Sequence, residues 1–426
     1  MYKFEILFIM ITTENRIKSF NDVVVRDTLF KNKEVLKKGY VPKCLNDLLH
    51  RDDIIQTYIN YLSDAMNNYV PNNIFIFGKT GVGKTVLTEL ILKDLEHTAT
   101  KHGINILSIY LNCETVSTDT AILKVLINQM WKKFGGSTKK IINSFDEHFG
   151  YFCKLIDSFD GVPIIIFDEV DKLKNPDIIN VFSRVRENKF ISKNICIIGI
   201  TNDLLLMEQL DPRTLSALSQ QEIVVPPYDA IQLGDILEMR AKLAFKDEIL
   251  DEMVIPLCAA LAAQERGDAR KALDLLRFAG ELAERNRSPK ITIEHVREAQ
   301  EKIENDSVGE TINTLPIQSK LVLLSCAHQC GKNSKTTTRS VYDLYQTFGI
   351  QISIDVLTQR RISDLISELN MLGIISIKKI SRGRYGVKNE ISLNISPEHI
   401  IDTLHENYTL SPLIDMLQIS AKQMHL

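Results

Sequence analysis

The sequence predicts an α/β chain: a parallel sheet covered by helices on both faces, then a helical bundle, then a small unit of helices closed by a hairpin. Three observations predict it. Short apolar, β-prone runs alternate with helical patterns up to about residue 225, as parallel sheets require. After Pro226 the strand signals stop, and four helical patterns follow on short links. Two β-prone runs return near the end, "GIISIKKI" and "GVKNEISL", around the turn "SRGRYG".

A chain of 426 residues is too long for one ordinary core. The reading divides it into a patternless, flexible arm at 1–40, the α/β domain at 41–225, the bundle at 226–312 and the last unit at 313–426. Strands are expected at 74–77, 105–111, 163–168, 195–200 and 222–225. The bundle helices are "YDAIQLGDILEMRAKLAF", "DEMVIPLCAALAAQE", "DARKALDLLRFAGELAERN" and "TIEHVREAQEKIEND". The last unit has helices at about 315–328, 338–348 and 355–371.

Hydrophobic content of 44% and charge of 25% are those of a soluble globular protein. A net charge of −3 excludes a uniformly basic nucleic-acid binder. Residues 313–426 nevertheless carry +3, which leaves −6 on the first 312, so any DNA-facing charge is C-terminal. The seven cysteines form no CxxC pair, and Cys326 and Cys330 lack a second pair, so no metal site is expected. Scattered reduced thiols point to the cytoplasm. The N-terminal "MYKFEILFIMI" is short, holds one lysine and lacks a cleavage-site pattern, so neither a signal peptide nor an anchor is expected. Translation from Met10 is the alternative.

The strand Ile74–Phe77 runs into "GKTGVGKTV". Gly78, Lys79, Thr80, Gly81, Val82, Gly83, Lys84, Thr85 and Val86 fit a phosphate-binding loop opening a helix. Glycines let the backbone curl its N–H groups inward around phosphates, and the helix N-terminus adds its dipole. Lys84 supplies charge to the phosphates, and the Thr85 hydroxyl can ligate magnesium. The helix "VLTELILKDL" follows, with Leu87, Leu90, Ile91 and Leu95 at helical spacing. A Gly-rich turn with a chance lysine is the competing reading, and the strand before and helix after argue against it.

"IIIFDEVD" puts Asp168 and Glu169 at the C-terminal end of a buried strand, where parallel sheets bind ligands. Asp168 is placed to hold magnesium through water, and Glu169 to deprotonate an attacking water. Asp171 reads as a helix N-cap or a surface acid. "CIIGITND" ends a second buried strand, so Asn202 either reaches the γ-phosphate or the water, or makes an Asx turn.

These residues carry a resemblance. The phosphate loop, "IIIFDEVD", "CIIGITND", "LDPRTLSAL" and "GDARKALDLLR" resemble the AAA+ ATPases. Within them, "VPKCLNDLLHRDDII", "VVPPYDAIQLGDILEMRAKLAF", "CAALAAQERGDARKALDLLRFAGELAE" and "TLPIQSKLVLL" are similar to the archaeal initiators of the origin recognition complex and cell division control protein family, from Val41 onward. The resemblance implies an AAA+ sheet domain, a helical lid and a C-terminal winged helix. It implies ATP or ADP with Mg2+ as ligands. It makes Arg213 an arginine finger and Arg270 a second sensor on the lid, and places Tyr228 and Arg240 in the nucleotide pocket; Tyr228 reads equally as interdomain packing.

In the winged helix, Thr358, Gln359, Arg360 and Arg361 open the candidate recognition helix. Lys378, Lys379, Arg382, Arg384 and Lys388 lie within eleven residues without an acid between them. Arg382, Arg384 and Tyr385 sit at a hairpin tip suited to enter a groove. "KNSKTTTR" at 332–339 reads as further phosphate contacts or a mobile loop. A helical insertion within 115–149, with Trp131, Lys132 and Lys133, reads as a DNA contact or as core packing.

The implied function is an ATP-switched initiator. It binds double-stranded origin DNA, helps load an MCM-type replicative helicase, hydrolyses ATP slowly, and works with other copies or paralogues and without a membrane. A signalling or transcription-control NTPase is the competing reading, and a hexameric motor a third.

Overall fold

The computed structural model describes residues 28–134, 144–203, 212, 221–265, 267–332, 336–381 and 387–423. Residues 28–40 give the first departure from expectation. The sequence pattern places them in a flexible arm, but they fold as a strap onto the helical bundle. Asn32 caps a 3-10 turn at Lys33–Leu36, and Leu29, Phe30, Val35 and Leu36 are buried. The signal is invisible locally because the partners lie more than 200 residues away. The Lys31 and Asn32 N–H groups donate to the Ala244 carbonyl, and Lys246 donates back to Leu29. The Phe30 and Phe245 rings meet at 4.7 Å, and Lys33 pairs with Glu281. Residues 1–27 of the expected arm lie outside the described residues.

Helix α1 (Asp52–Leu62) leads to β1 (Ile74–Phe77), whose four residues are all buried. Then come α2 (Lys84–Lys101), β2 (Ile106–Asn112), α3 (Asp119–Phe134), α4 (Phe145–Ser158), β3 (Val162–Asp168), α5 (Asp177–Ser183), β4 (Cys196–Thr201) and β5 (Gln221–Val224). The sheet order is β2-β3-β4-β1-β5, with every pairing parallel. Each central strand sends alternate residues to opposite faces. Ile74, Ile76, Ile164 and Ile166 pack with Tyr58, Leu87 and Ile91 from α1 and α2. Phe75, Phe77, Ile165 and Phe167 pack with α3, α4 and α5. The apolar residues of α3 (Ile122, Leu123, Leu126, Ile127 and Met130) belong to this second core, and Lys133 bonds Glu96. Core packing therefore accounts for the apolar face of that helix. Residues 135–143 lie outside the described residues.

The bundle consists of α6 (Ala230–Ala244), α7 (Val254–Gln264), α8 (Ala269–Arg285) and α9 (Ile293–Thr314). Asp229 and Gln232 form a capping box on α6, and Asp268 caps α8. Chain contacts divide the protein into compact units at 1–296 and 297–426. The division falls within α9, upstream of the 312/313 boundary read from sequence, because Val308 and Ile312 of this helix pack with the C-terminal core.

The second unit adds α10 (Ile317–Lys332), β6 (Thr336–Thr337), α11 (Thr338–Gln351), α12 (Gln359–Met371), β7 (Ile375–Ser381), β8 (Val387–Leu393), α13 (Pro397–His405) and α14 (Ser411–Gln423). Its antiparallel sheet has the order β6-β8-β7. Helix, short strand, two helices and a hairpin make a winged helix, with two C-terminal helices that the sequence reading did not include. Thr336 and Thr337, read as part of a phosphate-contacting or mobile loop, are instead buried and paired with Ile391 and Glu390. Thr337 spends its hydroxyl capping α11. Residues 333–335 lie outside the described residues. Among the described residues no helix is long and apolar enough to cross a membrane.

Candidate functional site

The phosphate loop leaves β1 at its C-terminal end. Gly81 and Gly83 take φ of +79° and +93°, which a side chain would strain. No side chain caps the N-terminus of α2, and its first turn holds no acid, so its N–H groups stay available to an anion. Lys84 is buried. Its ammonium donates to the Gly78 and Lys79 carbonyls at 2.7 Å each and to Asn202 Oδ1 at 2.8 Å. Burial pushes it down to about 8, with Arg270 also lowering it and Asp168, Asp171 and Glu169 opposing. A buried cation with three neutral acceptors, beside unshielded N–H groups, fits a polyphosphate.

Asp168 ends β3 and is buried. Its Oδ2 accepts from Thr85 Oγ1 and Tyr110 OH, each at 2.7 Å, and its Oδ1 accepts from the Glu169 N–H at 2.9 Å. A hydroxyl and a carboxylate in contact beside a phosphate loop fit Mg2+, which takes one or two protein oxygens and keeps phosphate and water for the rest.

Glu169 adopts the left-handed conformation at φ +55°, uncommon for a residue with a side chain. Its Oε2 is buried and without a hydrogen-bond partner among the described residues. Burial raises its pKa, and the carboxylates of Glu114, Asp168 and Asp171 raise it further. A carboxylate so placed is suited to take a proton. Asp171 is neither an N-cap nor a surface acid. It accepts from Thr201 Oγ1 at 3.0 Å and the Asn202 N–H at 3.3 Å, and so orients Asn202. Burial pushes its carboxyl up, but these bonds outweigh it and hold the group below the usual range.

The lid closes the other side. Ala269 N–H donates to Gly81 O at 3.3 Å, and a Cβ on Gly81 would overlap the Asp268 carboxylate. Arg270 does not pair with Asp268 or Asp274. Asp268 accepts from the Arg270 backbone, and Asp274 pairs with Arg277 and Lys38. A cavity of about 340 Å³ lies between loop, strap and lid, lined by Tyr40, Gly83, Thr85, Tyr228, Arg240 and Arg270 among others. The Arg240 guanidinium stacks on Tyr40 at 4.3 Å. Tyr228 is buried; it lines the cavity and its ring lies against Arg51.

The structure thus brings Lys84, Thr85, Asp168, Glu169, Asn202, Tyr228, Arg240 and Arg270 to one place. Arg213 lies outside the described residues. Tyr40, Arg51 and Tyr110 are added. Tyr110 was hidden because its contact requires β2 and β3 to lie in register.

In the second unit Thr358 caps α12, its Oγ1 accepting from Arg361 N–H. Thr358, Gln359, Arg360 and Arg361 are exposed. Asp364 and Glu368 approach Arg361 at 3.9 and 3.8 Å. Lys378 is exposed on β7, opposite Glu390. Lys379 pairs in the ladder with Asn389, and Lys388 with Ile380. Arg382, Arg384 and Tyr385 lie outside the described residues.

Three family models match successive parts of the chain. The family model for ATPases associated with various cellular activities matches residues 74–227. The Cdc6 AAA+ ATPase-type lid matches 234–301, and the CDC6 C-terminal winged helix domain matches 310–403. An ORC1-type DNA replication protein 1 of Methanosarcina mazei is 44% identical over 414 residues, 95% of this chain and 97% of the relative. The chain belongs to the ORC1/Cdc6 family of DNA replication initiators. Another ORC1-type DNA replication protein of this family, from Pyrococcus furiosus, is 46% identical over 391 residues, 91% of this chain and 92% of its own length. Among solved structures, the Aeropyrum pernix ORC1 protein in complex with DNA is similar with a TM-score of 0.70 and 38% identity, covering 91% of this chain and all of that one. As an ORC1/Cdc6 member the chain is an AAA+ ATPase, and its phosphate loop and lid are those of that class.

Proposed function

We propose that this protein is a replication initiator that binds double-stranded origin DNA through its winged helix, helps recruit or load an MCM-type replicative helicase, and uses ATP and ADP as the two settings of a conformational switch. The observation that carries the switch is the meeting of loop and lid, with Asp268 seated over Gly81 and Arg270 on the cavity wall that Gly83 and Thr85 share.

Thr85 and Asp168 would hold Mg2+, which supplies charge neutralisation between phosphates. Lys84 holds the phosphates against the α2 N-terminus. Glu169 takes the proton of the attacking water, and Asn202, oriented by Asp171, fixes the water or the γ-phosphate. Arg213 reaches the γ-phosphate of a neighbouring copy or paralogue, and Arg270 reports its presence to the lid. Hydrolysis is slow and resets the switch. The DNA complex of the Aeropyrum relative supports the DNA reading. On this chain Thr358, Arg360, Arg361 and Lys378 are exposed, and Lys379, Arg382, Arg384 and Tyr385 are the further residues assigned to DNA contact. The protein acts in the cytoplasm on the nucleoid.

The test is fluorescence anisotropy with duplexes from the host's origin region and scrambled duplexes, in nucleotide-free, ADP and ATP states. Preference for the origin duplex that falls with Arg384→Ala supports the reading. Weak binding, equal on both duplexes and indifferent to the substitution, sinks it in favour of a signalling or transcription-regulating NTPase.

A further inference from the structure

Arg51 is a cation taken out of water and given no carboxylate. It immediately precedes α1, and only 4% of its surface is exposed. Its Nη2 donates to the Val82 carbonyl at 3.2 Å and to the Pro226 carbonyl at 2.8 Å. Its guanidinium carbon lies 3.7 Å from the centre of the Tyr228 ring. Among the described residues no Asp or Glu pairs with it, and its Nε has no partner. Burial pushes its pKa down, with Tyr228 opposing. Burying a charge on such terms is costly, and fastening α1 to the core does not require it.

Its partners belong to three different segments. Val82 is in the phosphate loop. Pro226 follows β5, and Tyr228 is one residue before the cap of α6, at the base of the lid. The Tyr228 backbone also touches the start of α8, since a Cβ on Gly267 would overlap the Tyr228 carbonyl.

We infer that Arg51 is a positioning residue that ties the angle of the lid to the shape of the phosphate loop. One Nη2 holds both carbonyls, so Pro226 cannot swing away from β5 without loosening Val82. The flat guanidinium against the Tyr228 ring fixes the third direction, which the point charge of a lysine would not. Arg51 thus works at the hinge of the lid, while Arg270 works at its tip. The inference rests on the nucleotide site proposed above.

The experiment is stopped-flow release of N-methylanthraniloyl-ADP from the full chain, comparing wild type, Arg51→Met, Arg51→Lys, Arg270→Ala and the double variant Arg51→Met/Arg270→Ala. Each Arg51 variant is expected to release the probe about tenfold faster, a loss typical of buried hydrogen bonds made by a charged donor. Residues acting through one element are non-additive, so the double variant should release it within about threefold of the faster single variant. A merely structural arginine would give effects that multiply, and that outcome overturns the proposal. So does unchanged release in both Arg51 variants. If neither variant shows a cooperative melting transition without nucleotide, Arg51 is a fastener of the fold and the proposal also falls. Failure of the wild type to bind the probe would remove the nucleotide reading itself, a result visible before any variant is compared.

Discussion

Replacing Gly81 by alanine tests the contact between phosphate loop and lid. Two penalties follow from the structure. At φ +79° a Cβ costs about 1–2 kcal/mol. The new methyl would also overlap the Asp268 carboxylate. That carboxylate is not free to swing aside, because it accepts from the Arg270 N–H at 2.7 Å as the cap of α8. Displacing it forfeits the cap, about 1 kcal/mol. The sum is about 2–3 kcal/mol. The free protein escapes both penalties by letting the loop relax out of this conformation and part from the lid, whereas bound nucleotide requires the loop's shape and the lid together. The penalty therefore falls on affinity, at tenfold per 1.4 kcal/mol, giving roughly 30- to 150-fold weaker ADP binding by titration calorimetry. Asp268→Ala alone removes the cap and costs about 1 kcal/mol. In the double variant the cap is lost only once, so Gly81→Ala/Asp268→Ala should bind no worse than Gly81→Ala, a coupling of about 1 kcal/mol. Strictly additive losses would show that Asp268 does not sit over Gly81.

Lys84 gives a prediction in pH. Its folded pKa of about 8 lies below the usual 10.5, so the unfolded chain holds the extra proton between these values and this group's contribution to stability rises with pH across that window. Bound phosphate restores the proton, so ADP binding should take up a proton near pH 9 and none at pH 7, measured by calorimetry in buffers of different ionisation enthalpy. Uptake that persists in Lys84→Met would contradict the assignment. Glu169→Gln should lower phosphate release by about 10²-fold or more while ADP affinity changes little, and comparable loss of both would make Glu169 a binding residue. Arg360→Ala should weaken duplex binding and reduce the slope of log affinity against log salt by about one. An unchanged slope would take Arg360 off the phosphate backbone.

The α/β half of the fold was legible because its central strands β1, β3 and β4 are buried along their whole length. "IFIF" and "PIIIFD" have no polar side to confuse the pattern. The chemistry was legible where it sits at strand ends: Lys84, Thr85, Asp168 and Asn202 converge because parallel strands deliver their C-termini to one edge. What stayed hidden depends on distant partners. Nothing local in "NILSIYLN" marks Tyr110, whose hydroxyl donates to Asp168 only once β2 lies beside β3. Arg51 precedes two acids, Asp52 and Asp53, and nothing local marks it as buried, yet neither acid pairs with it and its partners are the Val82 and Pro226 carbonyls. Tyr40 was lost with the arm, since the strap has too few residues for a period and its apolar partners lie in the lid.

The strap also bears on how the chain is made. Its bond from Leu29 N–H to Glu284 spans 255 residues, and synthesis delivers the N-terminus first. Leu29, Phe30, Val35 and Leu36 therefore leave the ribosome long before Phe245 and Glu284 exist to receive them. The free-energy cost of closing so long a loop grows only with its logarithm, so the burden is one of waiting, with four apolar side chains uncovered while the five-stranded sheet assembles. Emergence of α8 ends that wait, and the earliest and latest parts of the nucleotide-binding unit are sealed together in one late event.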